Sequence, residues 1–258
     1  MARRAVQMDS PFTVFVLSFA VLWISAQSGV YLRTRGRELE LAAREDLVTL
    51  LTATLTLLAL IIGFTFSMAV TEYDQRRNSE QTEANVIGTE YIRLSLLQPD
   101  DARKIRELLT KYMRQRILFY TKHDTQQLQE VDAGTSRLQA DLWSAMETVG
   151  MTKSNPVVAL VISGMNDVLS SQTSAQAEWW NRVPLEAWIL MGVIAISGNF
   201  LVGYTARCNR MHARRFFLLP LLISIAFFLI ADLDNPRHGM ISINPRNLVN
   251  LSRSISVQ

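Results

Sequence analysis

The sequence predicts an all-α membrane protein with four transmembrane helices and a helical soluble insert between the second and third. Three observations predict it. Charged residues are 19% of the 258, below the roughly 25% of ordinary soluble domains. They are also unevenly placed: Glu72–Arg182 holds 13 Lys+Arg and 15 Asp+Glu, while the rest of the chain holds 13 Arg, no Lys and 8 acids. Finally, four outer runs carry no charge: Pro11–Tyr31, Leu47–Thr71, Ala187–Ala206 and Phe216–Ala231, of 21, 25, 20 and 16 residues. A helix needs about 20 apolar residues to cross roughly 30 Å of hydrocarbon.

These runs divide the chain into a hairpin (1–71, spans 11–31 and 47–71), an insert (72–184), a second hairpin (185–233, spans 185–206 and 216–233) and a tail (234–258). The net charge of +3 and the pI of 9.2 follow from arginines flanking the membrane rather than from a nucleic-acid surface. The single cysteine, Cys208, excludes an intrachain disulfide.

The first span follows Arg3 and Arg4 and reads as a retained helix, because its apolar core continues through Val30 and Tyr31. A cleaved secretory signal is the alternative, with Ser25-Ala26-Gln27 as its cleavage region. The second span runs without a breaker into the insert as far as Leu97. Pro99 then restarts a helix, with Asp100 and Asp101 in its first turn. Its apolar side is Ile105, Leu108, Leu109, Tyr112 and Ile117. Leu138, Leu142, Met146 and Val149 mark a third helix ending near Gly150. Asn155-Pro156 caps a fourth, with Val157, Leu160, Val161, Gly164, Met165 and Val168 as its stripe. Pro184 ends the insert. The fourth span is short and reaches full length if Leu233 joins it and Asp232 faces protein or water. Pro220 near its start is expected to kink it.

Arginine counts do not orient the spans. Termini inside and termini outside each place eight arginines on the inner side, so the positive-inside rule is neutral.

Nothing in the sequence carries enzyme chemistry. His123, His212 and His238 are far apart and lack metal-ligand spacing. No phosphate loop, nucleophile elbow or metalloprotease helix is present. No cofactor and no metal site are expected. Cys208 stands among Arg207 and Arg210, neighbours that lower a thiol pKa; an incidental interfacial cysteine is the alternative.

The second span carries the candidate functional residues. At 100° per residue, Thr49, Thr56, Leu60, Gly63, Ser67, Thr71, Asp74, Asn78 and Asn85 share one face. Lipid does not favour such a face. It serves either close helix packing through small residues or a water-filled path with an apolar constriction at Leu60 and Phe64.

The run from Gly63 to Arg76, Gly-Phe-Thr-Phe-Ser-Met-Ala-Val-Thr-Glu-Tyr-Asp-Gln-Arg, resembles the second-span segment of bestrophins. Leu233-Asp234-Asn235-Pro236-Arg237-His238-Gly239 resembles the turn that follows the bestrophin membrane domain. The whole chain is similar to bacterial bestrophin-like membrane proteins of uncharacterised function. They share Glu83-Ala84-Asn85 followed by Gly88-Thr89, and Pro220-Leu221-Leu222-Ile223-Ser224 followed by Asp232, Asp234 and Pro236.

The resemblance implies a bestrophin-like fold and an oligomeric channel for small monovalent ions, with five copies as the homo-oligomer. It implies residence in lipid in the bacterial inner membrane, with both termini and the insert in the cytoplasm. It also implies a neck at Thr56, Leu60 and Phe64, in which Thr56 departs from the apolar pattern. The acidic calcium-binding run of bestrophins is not reproduced after Pro236, so Asp232 and Asp234 are expected to cap and pair with nearby arginines. A membrane sensor or scaffold, whose insert binds a ligand or partner, is the alternative function.

Overall fold

The computed structural model describes residues 10–35, 41–153, 155–206, 217–237 and 239–256. Arg3, Arg4, Arg37, Arg207, Cys208, Arg210, His212, Arg214, Arg215, Phe216 and His238 lie outside the described residues. Among those described, the fold is all helical. Its order is α1 (Pro11–Arg35), α2 (Leu41–Arg93), a 3-10 turn (Leu94–Leu96), α3 (Pro99–Thr121), α4 (Thr125–Thr152), α5 (Pro156–Trp180), α6 (Leu185–Thr205), α7 (Leu218–Asp234) and α8 (Arg246–Ser256). The chain divides into two compact units. One comprises Met1–Tyr73 with Arg182–Ile241, the other Asp74–Asn181 with Ser242–Gln258.

In the first unit α1 packs on α6 and α7. Two glycines allow α1 and α6 to approach closely. A Cβ on Gly29 would collide with the Phe200 carbonyl oxygen, and one on Gly203 with the Ala26 carbonyl oxygen. The Ser25 hydroxyl donates across the same pair to the Ile196 carbonyl at 2.8 Å. The apolar core gathers Leu22, Leu58, Ala69, Met191, Ala195, Ile223, Phe227 and Ile230. Among the described residues, three stretches are long and apolar enough to cross a membrane: Pro11–Arg35, Ala42–Leu96 and Pro156–Thr205. Helix α7 has 17 residues, about 26 Å at 1.5 Å each. Pro220 does not fall where a kink is expected. It lies in the first turn of α7, where its missing N–H breaks no helical bond.

The two acids at the end of α7 organise the chain around them. Asp232, 1% exposed, accepts from the backbone N–H of Met240 at 2.5 Å and of Ile241 at 3.1 Å. Asp234 accepts from the Val183 N–H at 2.8 Å. Asp232 thus closes the loop after α7, and Asp234 ties the end of α7 to the segment just before α6, backbone contacts that the expectation of capping and arginine pairing does not name.

In the second unit, side-chain caps open α4, whose start the sequence reading did not place, and α5, whose Asn155 cap it did. Asp124 accepts from the Gln127 N–H at 3.1 Å to open α4, and Asn155 from the Val158 N–H at 2.8 Å to open α5. The buried line of α5 is Val158, Val161, Met165, Val168, Gln172, Ala175 and Trp179, a repeat of alternating three and four residues. Val157 and Leu160, expected on that stripe, are 43% and 46% exposed. They lie beside the line, and the apolar pattern alone does not fix its phase. The segment expected as a tail contains α8. Its first turn is held by Glu80, which accepts from the Asn247 amide at 2.7 Å and the Leu248 N–H at 2.9 Å.

Candidate functional site

Helix α2 has 53 residues, and its two faces differ. One line is buried: Leu58, Thr65, Ala69, Arg76, Glu80, Glu83, Ile87 and Glu90, continued by Leu94 in the 3-10 turn. Its spacings of three, four and seven residues are those of a helix seam. The candidate face lies away from that line. Thr49, Thr56, Leu60, Gly63, Phe64, Ser67, Thr71, Asp74 and Asn78 are all exposed in the single chain. Leu60 is 53% and Phe64 67% exposed. A Cβ built on Gly63 meets no atom within 4 Å. Among the described residues, therefore, no packing within the chain uses this face or its small residues.

The threonine hydroxyls on the face are spoken for. Thr49, Thr56 and Thr71 donate to the carbonyls of Glu45, Thr52 and Ser67 at 3.0, 2.8 and 2.9 Å. A carbonyl only accepts, so each hydroxyl hydrogen points back along the helix. The oxygen lone pairs remain available outward.

Sequence reasoning missed the charged groups on the buried line. Arg76 is fully buried and donates to the Glu178 and Asn181 carbonyls, to the first at 3.0 Å. Glu83 accepts from Arg116 at 2.7 and 3.3 Å and from the Tyr120 hydroxyl at 2.6 Å. Arg116 also lies over the Phe119 ring, 4.4 Å from its centroid. Burial opposes the charge of Arg116, but the Glu83 carboxylate outweighs it and raises its pKa. Burial pushes the Tyr120 hydroxyl up, and Glu83 adds to the shift.

Glu90 differs from Glu83. Its carboxylate is buried, and neither oxygen has a hydrogen-bond donor. Arg93 stands 3.8 Å away. Burial pushes its pKa from 4.5 to about 7; Arg93 opposes the shift and Asp167 adds to it. The available signal was periodicity: Arg76, Glu80, Glu83 and Glu90 repeat at the spacing of Ile87 and Leu94. Their charges concealed it, because charged residues are normally assigned to the solvent side.

No group of three or more His, Cys, Asp or Glu that could hold a metal occurs among the described residues. The chain's fold has counterparts among solved structures. A crystal structure of a bacterial Bestrophin homolog from Klebsiella pneumoniae, carrying a single substitution, superposes with a TM-score of 0.67 at 13% identity. The match covers 95% of this chain and 98% of that one. A second substituted form gives 0.65 at 13% identity over 96% and 97%. A third structure of a Klebsiella pneumoniae Bestrophin homolog gives 0.63 at 14% over 94% and 98%. No curated protein matches the sequence at a significant level. The Bestrophin-like domain model matches residues 17–248. The motifs on α2 and after α7, the all-helical fold and this match over most of the chain agree: the protein belongs to the Bestrophin-like family.

Proposed function

We propose that the chain forms a homo-oligomeric ion channel whose path is lined by α2. Thr49, Thr56, Gly63, Ser67, Thr71, Asp74 and Asn78 line the path, and Leu60 with Phe64 forms its apolar neck. Helices α1, α6 and α7 and the first part of α2 supply four spans. Both termini and the insert face the cytoplasm of a bacterial inner membrane. Five copies surround the axis, and small monovalent ions pass.

The observation that carries this reading is the exposed face of α2. It is polar or small-residued along a span of a membrane-protein family, and the chain's own helices leave it uncovered. Lipid does not favour hydroxyls and carboxamides, whereas a water-filled axis between copies does. Leu60 and Phe64 are one turn apart and are the large apolar groups near its centre. Repeated around an axis, they form a ring that resists wetting and blocks ions without charge.

The test is ion flux into liposomes containing the purified protein. Leu60→Ala with Phe64→Ala should raise flux while the oligomer stays intact on size exclusion, because truncation widens the ring. If the face served packing between copies, two cavities costing roughly 2–5 kcal/mol each would weaken the assembly. A double variant that falls apart, or that stays assembled with unchanged flux, overturns the pore assignment. A monomer without flux favours the sensor or scaffold.

A further inference from the structure

Charge is distributed one-sidedly along α2. Leu60 and Asn78 are 18 residues apart, five full turns, and so define a straight line on the helix. From Asp46 to Thr89, the ionisable side chains within about 45° of that line are Asp46 and Asp74. Both are exposed. The basic residues of this stretch lie elsewhere: Arg77 is about 100° from the line and Arg76 about 160°. Arg76 is moreover buried against the Glu178 and Asn181 carbonyls. Glu80 and Glu83 are likewise on the far side, buried and hydrogen bonded.

A second observation points the same way. The Thr49, Thr56 and Thr71 hydroxyls spend their hydrogens on their own helix. They present acceptor lone pairs outward and no donor. A passing cation finds oxygens along this face, whereas an anion finds donors at the Ser67 hydroxyl and at amides such as those of Asn78 and Asn85.

We propose that this face selects cations, with Asp74 setting the sign of the ion that passes and Asp46 the matching acid at the other end of the span. The inference rests on the channel reading above. A carboxylate repeated around an axis concentrates cations locally and repels anions. Beyond the uncharged neck at Leu60 and Phe64, Asp74 is the first charged group on the path.

The test is the reversal potential of the reconstituted full-length protein under a sodium chloride gradient. The unaltered protein should reverse on the sodium side of zero. Asp74→Asn should lower the sodium-to-chloride permeability ratio several-fold while flux persists. Asp74→Lys should move the reversal potential to the chloride side, Asp74→Glu should leave it unchanged, and Asp46→Asn should shift it in the same direction as Asp74→Asn. Chloride selectivity in the unaltered protein, or an unchanged ratio in assembled Asp74→Asn and Asp74→Lys, overturns the role of Asp74 and leaves the channel reading standing. A protein that assembles and passes neither ion ends both.

Discussion

Glu90 lies against Gly164: a Cβ on that glycine would collide with the Glu90 carboxylate. The glycine makes room for a buried acid that has no hydrogen-bond donor. Burial favours its neutral form and places its pKa at about 7.

Glu90 should therefore make stability fall as pH rises. The unfolded chain releases this proton near 4.5 and the folded chain near 7. Between these values the folded state binds more protons, so stability declines with rising pH and levels off above about 7. The loss at pH 8 is on the order of 3 kcal/mol at 1.36 kcal/mol per pKa unit. Thermal unfolding of the purified protein between pH 5 and 8 reads it. Glu90→Gln should flatten the profile and stabilise the protein at the alkaline end; an unaltered profile would remove Glu90 as its source.

The crossing of α1 and α6 should depend on Gly203 and not on Gly192, which is on the same helix. Gly192 has open space around a built Cβ, whereas Gly203 meets the Ala26 backbone. Helix propensity alone favours Ala over Gly by about 1 kcal/mol. Gly192→Ala should then be neutral or stabilising. Gly203→Ala should lower the melting temperature, because forced separation of packed helices costs about 1–3 kcal/mol. Equal melting temperatures for the two variants in detergent would contradict the close crossing.

The proposed placement of both termini in the cytoplasm makes a labelling prediction. In a Cys208→Ser background, an impermeant thiol reagent added to intact cells should reach Arg35→Cys and miss Glu130→Cys. The reverse pattern would invert the topology.

The helices themselves were legible in the sequence because their determinants are local. Pro99 followed by Asp100 and Asp101, and Asn155 before Pro156, mark starts that the structure shares to the residue. Leu142, Met146, Val161, Met165 and Val168 were legible as core because apolar side chains at helical spacing have one low-energy destination. The polar face of α2 could be read in the same way, as a pattern on one helix.

The tertiary structure decided what surrounds each pattern. It showed that Val157 and Leu160 lie outside the buried line of α5, since neighbouring helices set the phase of a broad apolar stripe. It brought Glu80 to the first turn of α8, a partner 168 residues away. It also placed Arg76, Glu83, Glu90 and Arg116 inside. A charged residue is buried only where distant groups, such as the Glu178 carbonyl, the Tyr120 hydroxyl or the space above Gly164, accommodate it. Those groups are far away in sequence, so local periodicity could not supply them.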